Sequence, residues 1–273
     1  MKSIENIKDI QNVLFATLCY FDDFCSQHGI KYFLSNGTLL GAAKYKGFIP
    51  WDDDVDVLLP REDYDKLVSL KEINSDQYRL LCREQVPTWR MPYAKLSCEN
   101  TVIQEGAYDF GAQFGVSVDI FPIDKWSPWL PIAKFQAFKC ECLKRLLVCS
   151  IGGAFNTQKT GVKRFILKTI WLTGKSLGHE RVLRAILQTA NRSHRNPKKY
   201  MGCLCWTCHL HKEIFPESFF EKTDRLMFCG RSFRVFAEYE KYLDSLYGNW
   251  RAELPVEQQH SNHDIKVWWK NAE

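Results

Sequence analysis

The sequence predicts an α+β fold in which helices flank a short mixed β-sheet and a basic helical insert is added. Three observations predict it: helical spacing of apolar residues in 1–29, strand-like apolar runs in 30–34, 54–59 and 115–121, and an excess of lysine and arginine in 130–200. With 273 residues, 45% of them hydrophobic and 25% charged, the chain is long enough to bury a substantial core.

The first element is an amphipathic helix predicted for residues 1–29. Ile10, Leu14, Leu18 and Phe21 repeat at helical spacing, and Gly29 is a natural end. The polar face carries acids as well as lysines, which disfavours a membrane-surface helix. Nothing in the segment resembles an export signal, so a cytoplasmic protein is expected.

The second element is a strand at 30–34 that breaks at Ser35, Asn36, Gly37 and Thr38 before a helix at 39–43. Ser35 or Asn36 can cap that helix, and Gly37 lets backbone N–H groups approach an anion. The turn is therefore a candidate phosphate-binding site.

The third element is a strand that follows four aspartates in the five residues 52–56, DDDVD. In an extended strand Asp54 and Asp56 share a face, Asp52 can join them, and Asp53 points away. Like charges this close repel, and hard oxygen donors suit Mg²⁺, so we interpret the cluster as a metal site. An acidic turn and a calcium loop remain alternatives, although the glycine and glutamate spacing of an EF-hand is missing.

A third carboxylate for this site is expected from the strand at 115–122, where Asp119 lies in an alternating apolar run that ends at a proline. The alternative is a capping aspartate at a strand end.

These segments also carry a family resemblance. Residues 32–41 (YFLSNGTLLG), 47–57 (GFIPWDDDVDV) and 60–64 (PREDY) resemble the signature of the LicD family, which includes fukutin and fukutin-related protein. Residues 119–124 (DIFPID) and 242–250 (YLDSLYGNW) resemble two further family blocks.

The resemblance implies a nucleotidyltransferase-like core. We expect residues 1–129 to form the first helix and the catalytic core, 130–200 the basic insert, and 201–273 the part that completes the core. The resemblance also implies transfer of a phospho-alcohol, such as phosphocholine or ribitol phosphate, from a CDP-activated donor to a hydroxyl of a glycan or lipid-linked glycan. Mg²⁺ or Mn²⁺ would be held by Asp52, Asp54, Asp56 and Asp119.

Roles can be assigned to the remaining polar residues. Asp54, Asp56 and Asp119 are the candidate catalytic acids, and Asp119 or Asp54 would take the proton of the acceptor hydroxyl. The candidates for binding the donor phosphates are Ser35, Asn36, Gly37, Thr38, Lys44, Lys46, Arg61, Lys95 and His263. A surface lysine is usually only a solvated charge, and His263 has the alternative of an exposed tail residue.

The eleven cysteines indicate reduced thiols rather than a disulfide scaffold, because their spacing has no secreted-domain rhythm. Five potential zinc ligands lie close together: Cys203, Cys205, Cys208, His209 and His211. A structural zinc site takes two spaced ligand pairs, and only one group is evident.

Residues 130–200 are predicted to form two or three basic amphipathic helices, with no apolar run long enough to span a bilayer. This insert can be a solvated lobe, grip a phosphorylated glycan, or lie peripherally on an anionic membrane at its inner face. Nucleic-acid binding is not expected, since no zinc-finger, RRM or KH spacing occurs.

Two other functions remain open. One is a nucleotidyltransferase that adds a nucleotide to a small molecule or RNA end, and the other is an inactive binding protein of the same fold. In the C-terminal part, the sequence predicts a loop entering a helix at 216–220, a β-hairpin around Gly230, and a helix at 238–247.

Overall fold

A computed structural model describes residues 1–195, 197, 199–261 and 265–270. Its strands are β1 Lys2–Ile4, β2 Phe33–Leu34, β3 Val55–Pro60, β4 Tyr78–Leu81, β5 Ala94–Cys98, β6 Thr101–Glu105, β7 Ser117–Lys125, β8 Tyr200–Gly202, β9 Phe215–Pro216, β10 Thr223–Phe228, β11 Arg231–Phe236 and β12 Ile265–Trp269. Its α-helices are α1 Ile7–Gln27, α2 Asn36–Tyr45, α3 Arg61–Ser69, α4 Leu130–Ile151, α5 Gly161–Leu177, α6 His179–Ser193 and α7 Tyr239–Tyr247.

The central sheet has the strand order β2-β3-β7-β5-β4, and β8 and β9 extend it from the end of β7. The pair β3–β7 is parallel, whereas the neighbouring pairs are antiparallel, so the sheet is mixed. A three-stranded sheet, β1-β12-β6, and the hairpin β10-β11 lie beside it. The predicted α+β class with a mixed sheet is confirmed.

Helix α1 confirms the first predicted helix over most of its length and buries Leu14, Leu18 and Phe21. It begins at Ile7 because the side chain of Asn6 caps it, accepting a hydrogen bond of 3.0 Å from the backbone N–H of Lys8. The prediction was wrong for residues 2–4, which form β1 and pair with β12. That pairing joins the two ends of the chain and has no local signal.

The C-terminal hairpin and helix are confirmed. Strands β10 and β11 turn at Cys229 and Gly230, both with positive φ (50° and 85°), the backbone that a tight hairpin requires. Helix α7 ends at Gly248, whose φ is 68°. The loop predicted to enter a helix at 216–220 leads only into a single 3-10 turn, Glu217–Phe220.

The basic segment folds as the three helices α4, α5 and α6, at the upper end of the predicted number. Ala133, Ala137 and Cys140 of α4 pack with Trp126 and Ala190 in a small core of their own. A larger continuous core joins α1 to the faces of the central sheet. The proposed division at 129 and 200 stays a prediction.

Candidate active site

Three neighbouring strands align two acids and a lysine on one face of the central sheet. In the parallel pair β3–β7, Asp56 lies opposite Asp119, and in the antiparallel pair β7–β5, Asp119 lies opposite Lys95. Adjacent strands are about 4.8 Å apart, so the three side chains are immediate neighbours. The ammonium of Lys95 contacts both carboxylate oxygens of Asp119, at 2.6 and 2.7 Å. The structure thus brings Asp56, from the acidic segment 52–56, next to Asp119.

The start of α2 closes one side of this row. The Asn36 side-chain amide donates to the Asp56 carboxylate at 3.1 Å, and the Asp56 backbone N–H donates to the Thr38 hydroxyl at 2.8 Å. The hydroxyl of Tyr242 on α7 donates to the Asn36 side-chain oxygen at 3.1 Å and fixes that amide. Ser35 Oγ is buried and has no hydrogen-bond partner within the described part of the chain. It is an available polar group at the predicted phosphate-binding turn.

Gly37 lies against the acidic segment, and a side chain at this position would crowd it. A Cβ built on Gly37 would lie 3.0 Å from a carboxylate oxygen of Asp52. The Gln11 side chain of α1 donates to the Asp52 carbonyl at 2.9 Å and anchors the loop before β3. Asp53 accepts a hydrogen bond from Ser261 at 2.7 Å.

The acids are in a strongly unfavourable electrostatic setting. Burial, reinforced by the neighbouring Asp54, raises the pKa of Asp52 to about 9. Burial, together with Asp54 and Asp119, also raises the pKa of Asp56 well above its ordinary value. Burial lowers the pKa of Lys95, but the nearby carboxylates, Asp119 first, outweigh it and the net pKa is raised. The site therefore favours a bound positive charge.

Most of these acids line a cavity of about 220 Å³, although Asp52, a predicted metal ligand, is not among its lining residues. Asp53, Asp54, Asp56, Asp119 and Lys95 line its polar side. Asp53 is included although strand alternation predicted that it would face away, because β3 begins only at Val55 and residues 52–54 are not yet in the strand.

The cavity has further walls that the sequence did not indicate. Tyr93 and Phe114 flank Lys95, with its ammonium 5.8 and 5.5 Å from their ring centroids. The other unpredicted lining residues include Glu105, Trp206 and Cys208. The apolar and aromatic neighbours of Lys95 in the sequence partly indicated that this lysine belongs to the site. No local pattern marks Trp206 or Cys208 as neighbours of an acidic site.

The carboxylates have the right chemistry for Mg²⁺ or Mn²⁺, since hard cations take carboxylate oxygens. Their mutual repulsion, seen in the raised pKa values of Asp52 and Asp56, is the kind that a divalent ion would relieve. Across 1–195, 197, 199–261 and 265–270, however, no three His, Cys, Asp or Glu side chains converge as ready-made ligands. Lys95 lies on Asp119 instead, so loading an ion would require the carboxylates to turn toward it.

The lack of converging ligands in the described residues also bears on the possible zinc site at 203–211. The Cys203 thiol donates to the Trp206 carbonyl at 3.4 Å, and the His209 ring packs on Tyr247. Cys208 lines the acidic cavity. Cys203 lies within hydrogen-bond distance of Cys205, but among the described residues no three of the five side chains converge as metal ligands.

The other predicted phosphate ligands lie elsewhere. Lys44 donates to the Ala252 carbonyl at 2.6 Å, and Lys46 is exposed. Both follow the start of α2 by eight to ten residues, about 12–15 Å along a helix. Arg61 makes a two-fold ion pair with Asp124 (2.8 and 2.9 Å), which the alternation of β7 puts on the opposite face from Asp119. His263 lies outside the described residues.

Sequence comparisons agree with this geometry. Residues 29–134 match the nucleotidyltransferase domain shared by LicD, FKTN and FKRP. The lipopolysaccharide cholinephosphotransferase LicD of Haemophilus influenzae is 26% identical over 278 aligned positions, which cover 95% of this chain and 96% of that protein. This confirms the resemblance to the LicD family.

Two uncharacterized proteins, from Rickettsia prowazekii and Rickettsia typhi, share 44% identity with this chain over 41 residues, or 15% of its length. The LicD-domain match contains the acids, Lys95 and the turn at 35–38. The C-terminal part of the chain, beyond that match, adds Tyr242 to the hydrogen-bond network and Trp206 to the cavity wall.

Proposed function

We propose that this protein transfers a phosphorylated alcohol from a CDP-activated donor to a hydroxyl of a lipopolysaccharide or a related cell-surface glycan. The alignment of Asp56, Asp119 and Lys95 on one sheet face, beside the turn that starts α2, is the observation that carries the proposal. The named relative, a lipopolysaccharide cholinephosphotransferase aligned along nearly the whole chain, supports the glycan acceptor and the phosphocholine-like group.

The reaction is a displacement at phosphorus. The acceptor oxygen forms a bond to the phosphorus of the alcohol phosphate, the pyrophosphate P–O bond breaks, and CMP leaves with the electron pair. Asp52, Asp54, Asp56 and Asp119 are the residues that would hold Mg²⁺ or Mn²⁺, which when bound neutralises charge on the transferred phosphoryl group.

The chain's own groups have distinct tasks in this scheme. Asp119 or Asp54 accepts the proton of the attacking hydroxyl at the cavity wall. Ser35 and the backbone N–H groups at the start of α2 bind donor phosphate oxygens, which favour a helix N-terminus. Lys95 supplies positive charge next to Asp119 and turns toward the phosphates when they arrive. Asn36, held by Tyr242, keeps Asp56 in position.

The test is a panel of CDP-activated alcohols, including CDP-choline and CDP-ribitol, with a glycan acceptor and Mg²⁺. We expect CMP release that depends on the acceptor. Release of pyrophosphate from a nucleoside triphosphate, with no CMP from any CDP-alcohol, would replace the proposal with nucleotide addition. No turnover with either class would favour an inactive binding protein.

Asp56→Asn is the matching variant, because it keeps the size of the side chain and removes one carboxylate charge. We expect at least a hundredfold loss of CMP release with no loss of fold. Asp76→Asn is the control, since Asp76 is an exposed acid outside the cavity, and it should retain full activity. Full activity of the Asp56 variant would reject the assignment.

A further inference from the structure

Helix α4 presents a row of large apolar side chains to solvent. Trp129, Ile132, Phe135 and Phe138 are 70%, 51%, 65% and 61% exposed. Trp129 immediately precedes the helix, and Ile132, Phe135 and Phe138 follow at intervals of three residues. By helical periodicity these three cover a sector of about 120° that excludes the buried Ala133, Ala137 and Cys140. So many exposed aromatic side chains on one helix face mark an interaction surface.

Helix α5 repeats the pattern. Val162, Phe165 and Ile166 are 75%, 73% and 51% exposed, at i, i+3 and i+4 spacing. Lys163, Arg164 and Lys168 flank this stripe on the same helix. The first nine residues of α5 are all exposed, so this part of the helix projects from the protein.

The two apolar rows belong to helices that pack on each other. Gly174 of α5 packs on Leu146 and Cys149 of α4, where an added Cβ would lie 2.7 Å from the Leu146 carbonyl oxygen and 2.8 Å from Cys149 Cβ. By helical periodicity, Leu146 and Cys149 lie on the same outward face of α4 as Phe135 and Phe138. Helix α5 therefore lies across that face, and its exposed stripe points away from the contact at Gly174.

The surroundings of this surface are strongly basic. Residues 130–200 contain fifteen lysines and arginines and two acids, Glu141 and Glu180. Both acids are already in ion pairs: Glu141 with Lys144 and Arg145 at 2.7 and 2.8 Å, and Glu180 with Arg83 at 3.1 Å. Among the described basic residues of the segment, only Lys144, Arg145 and Arg184 pair with these two acids, and Arg83 pairs with Glu180 from outside the segment.

We propose that the surface formed by Trp129, Ile132, Phe135, Phe138, Val162, Phe165 and Ile166 docks on an anionic lipid bilayer. The apolar side chains enter the boundary between headgroups and acyl chains, and the flanking lysines and arginines bind lipid phosphates. An aromatic side chain such as that of Trp129 suits this boundary because it combines an apolar body with a polar edge.

Charge complementarity selects this partner. A second copy of the chain would set two strongly basic surfaces against each other, which is unfavourable at physiological ionic strength. An acidic lipid surface offers negative charge and an apolar layer together, and these are the two properties that α4 and α5 present. None of the described helices is long and apolar enough to cross a bilayer, so this contact is peripheral.

Co-sedimentation with vesicles tests the proposal. The full-length protein should bind vesicles of phosphatidylglycerol and phosphatidylcholine in equal parts, bind vesicles of phosphatidylcholine alone at least about tenfold more weakly, and be released by high salt. The double variant Phe135→Ser, Phe165→Ser should lower the partition coefficient at least about tenfold, because two aromatic side chains lose their apolar burial. Lys163→Gln with Lys168→Gln should lower it by about tenfold on the anionic vesicles only.

Two controls test whether vesicle binding is specific to this surface and whether it is independent of the proposed reaction. Met227→Ser with Leu254→Ser removes two other exposed apolar side chains, 46% and 45% exposed, outside residues 130–200, and should leave binding unchanged. Asp56→Asn should bind vesicles like the unaltered protein, so the lipid contact and the proposed reaction can fail separately.

Three outcomes would overturn the proposal. The first is absence of binding to anionic vesicles at moderate salt. The second is equal binding by the phenylalanine double variant, with circular dichroism showing that it is folded. The third is a dimer in size-exclusion chromatography that the same double variant dissolves, since this would assign the surface to a second copy of the chain.

Discussion

Replacing Lys95 by methionine should destabilise the protein strongly, because Lys95 compensates a carboxylate that is mostly out of water. The side chains of Lys95 and Asp119 are only 9% and 14% exposed, and the ammonium contacts both carboxylate oxygens. Methionine keeps the approximate length and apolar stem but removes the charge. Asp119 then loses the ammonium that contacts both of its carboxylate oxygens, next to the other acids of the cavity.

The expected cost is about 3–5 kcal/mol, the range for removing one partner of a buried ion pair. Against a total stability on the order of 5–15 kcal/mol this is a large loss. Asp119→Asn should cost less, about 1–3 kcal/mol, because Glu105 and Asp54 remain to stabilise the ammonium of Lys95. The double variant Lys95→Met, Asp119→Asn should be more stable than the sum of the single effects, by about 2 kcal/mol.

Urea denaturation followed by circular dichroism measures each free energy of unfolding, and the four proteins form a double-mutant cycle. Lys241→Met is the matched control, because Lys241 pairs with Glu238 at a site where the two side chains are 74% and 40% exposed. It should change stability by less than about 1 kcal/mol. A cost below about 1 kcal/mol for Lys95→Met, or additive effects in the cycle, would refute the reasoning.

Three further predictions concern groups around the site. Burial raises the pKa of Glu213 to about 7, so the native state holds this proton more tightly than the unfolded state does. The stability of the wild-type protein should therefore fall by about 3 kcal/mol between pH 4.5 and 7. Glu213→Gln should remove that loss, which is measured as the difference in urea midpoint between pH 5 and pH 7.5. Gly41→Ala would put a Cβ 2.4 Å from the Gly47 carbonyl oxygen, so we expect a loss of at least about 2 kcal/mol, and an unchanged thermal midpoint would contradict that contact. Arg61→Met should cost about 3–5 kcal/mol by leaving the buried Asp124 unpaired, and the test is whether Asp124→Asn in the same protein restores part of the loss in thermal denaturation.

Local sequence patterns predicted several elements well. Helical spacing of apolar residues predicted α1, and the turn residues around Gly230 predicted the hairpin β10–β11. Strand alternation gave β3 and β7, with Asp56 and Asp119 at interior positions. Each of these signals depends on residues only a few positions apart. In contrast, β4, β5 and β6 were not predicted, although β5 supplies Lys95 to the site.

The candidate phosphate ligands show the limit of such reasoning. Lys44, Lys46 and Lys95 are equally cationic in sequence, but only Lys95 lines the acidic cavity. Lys44 and Lys46 are at the far end of α2, a distance set by helical rise, and Arg61 faces Asp124 on the other side of the sheet. The fold of the chain therefore decides which basic side chains become neighbours of which acids.

The amino-acid sequence alone determined the class of the fold, the acidic segment 52–56, the turn at 35–38 and the resemblance to the LicD family, because these depend on patterns of neighbouring residues. Tertiary structure decided that Asp56, Asp119 and Lys95 become neighbours, that Tyr242 fixes Asn36, and that the apolar rows of α4 and α5 stay exposed. The physical reason is that strand register and helix packing are fixed by contacts between residues far apart in the chain, whose free energies no local pattern contains.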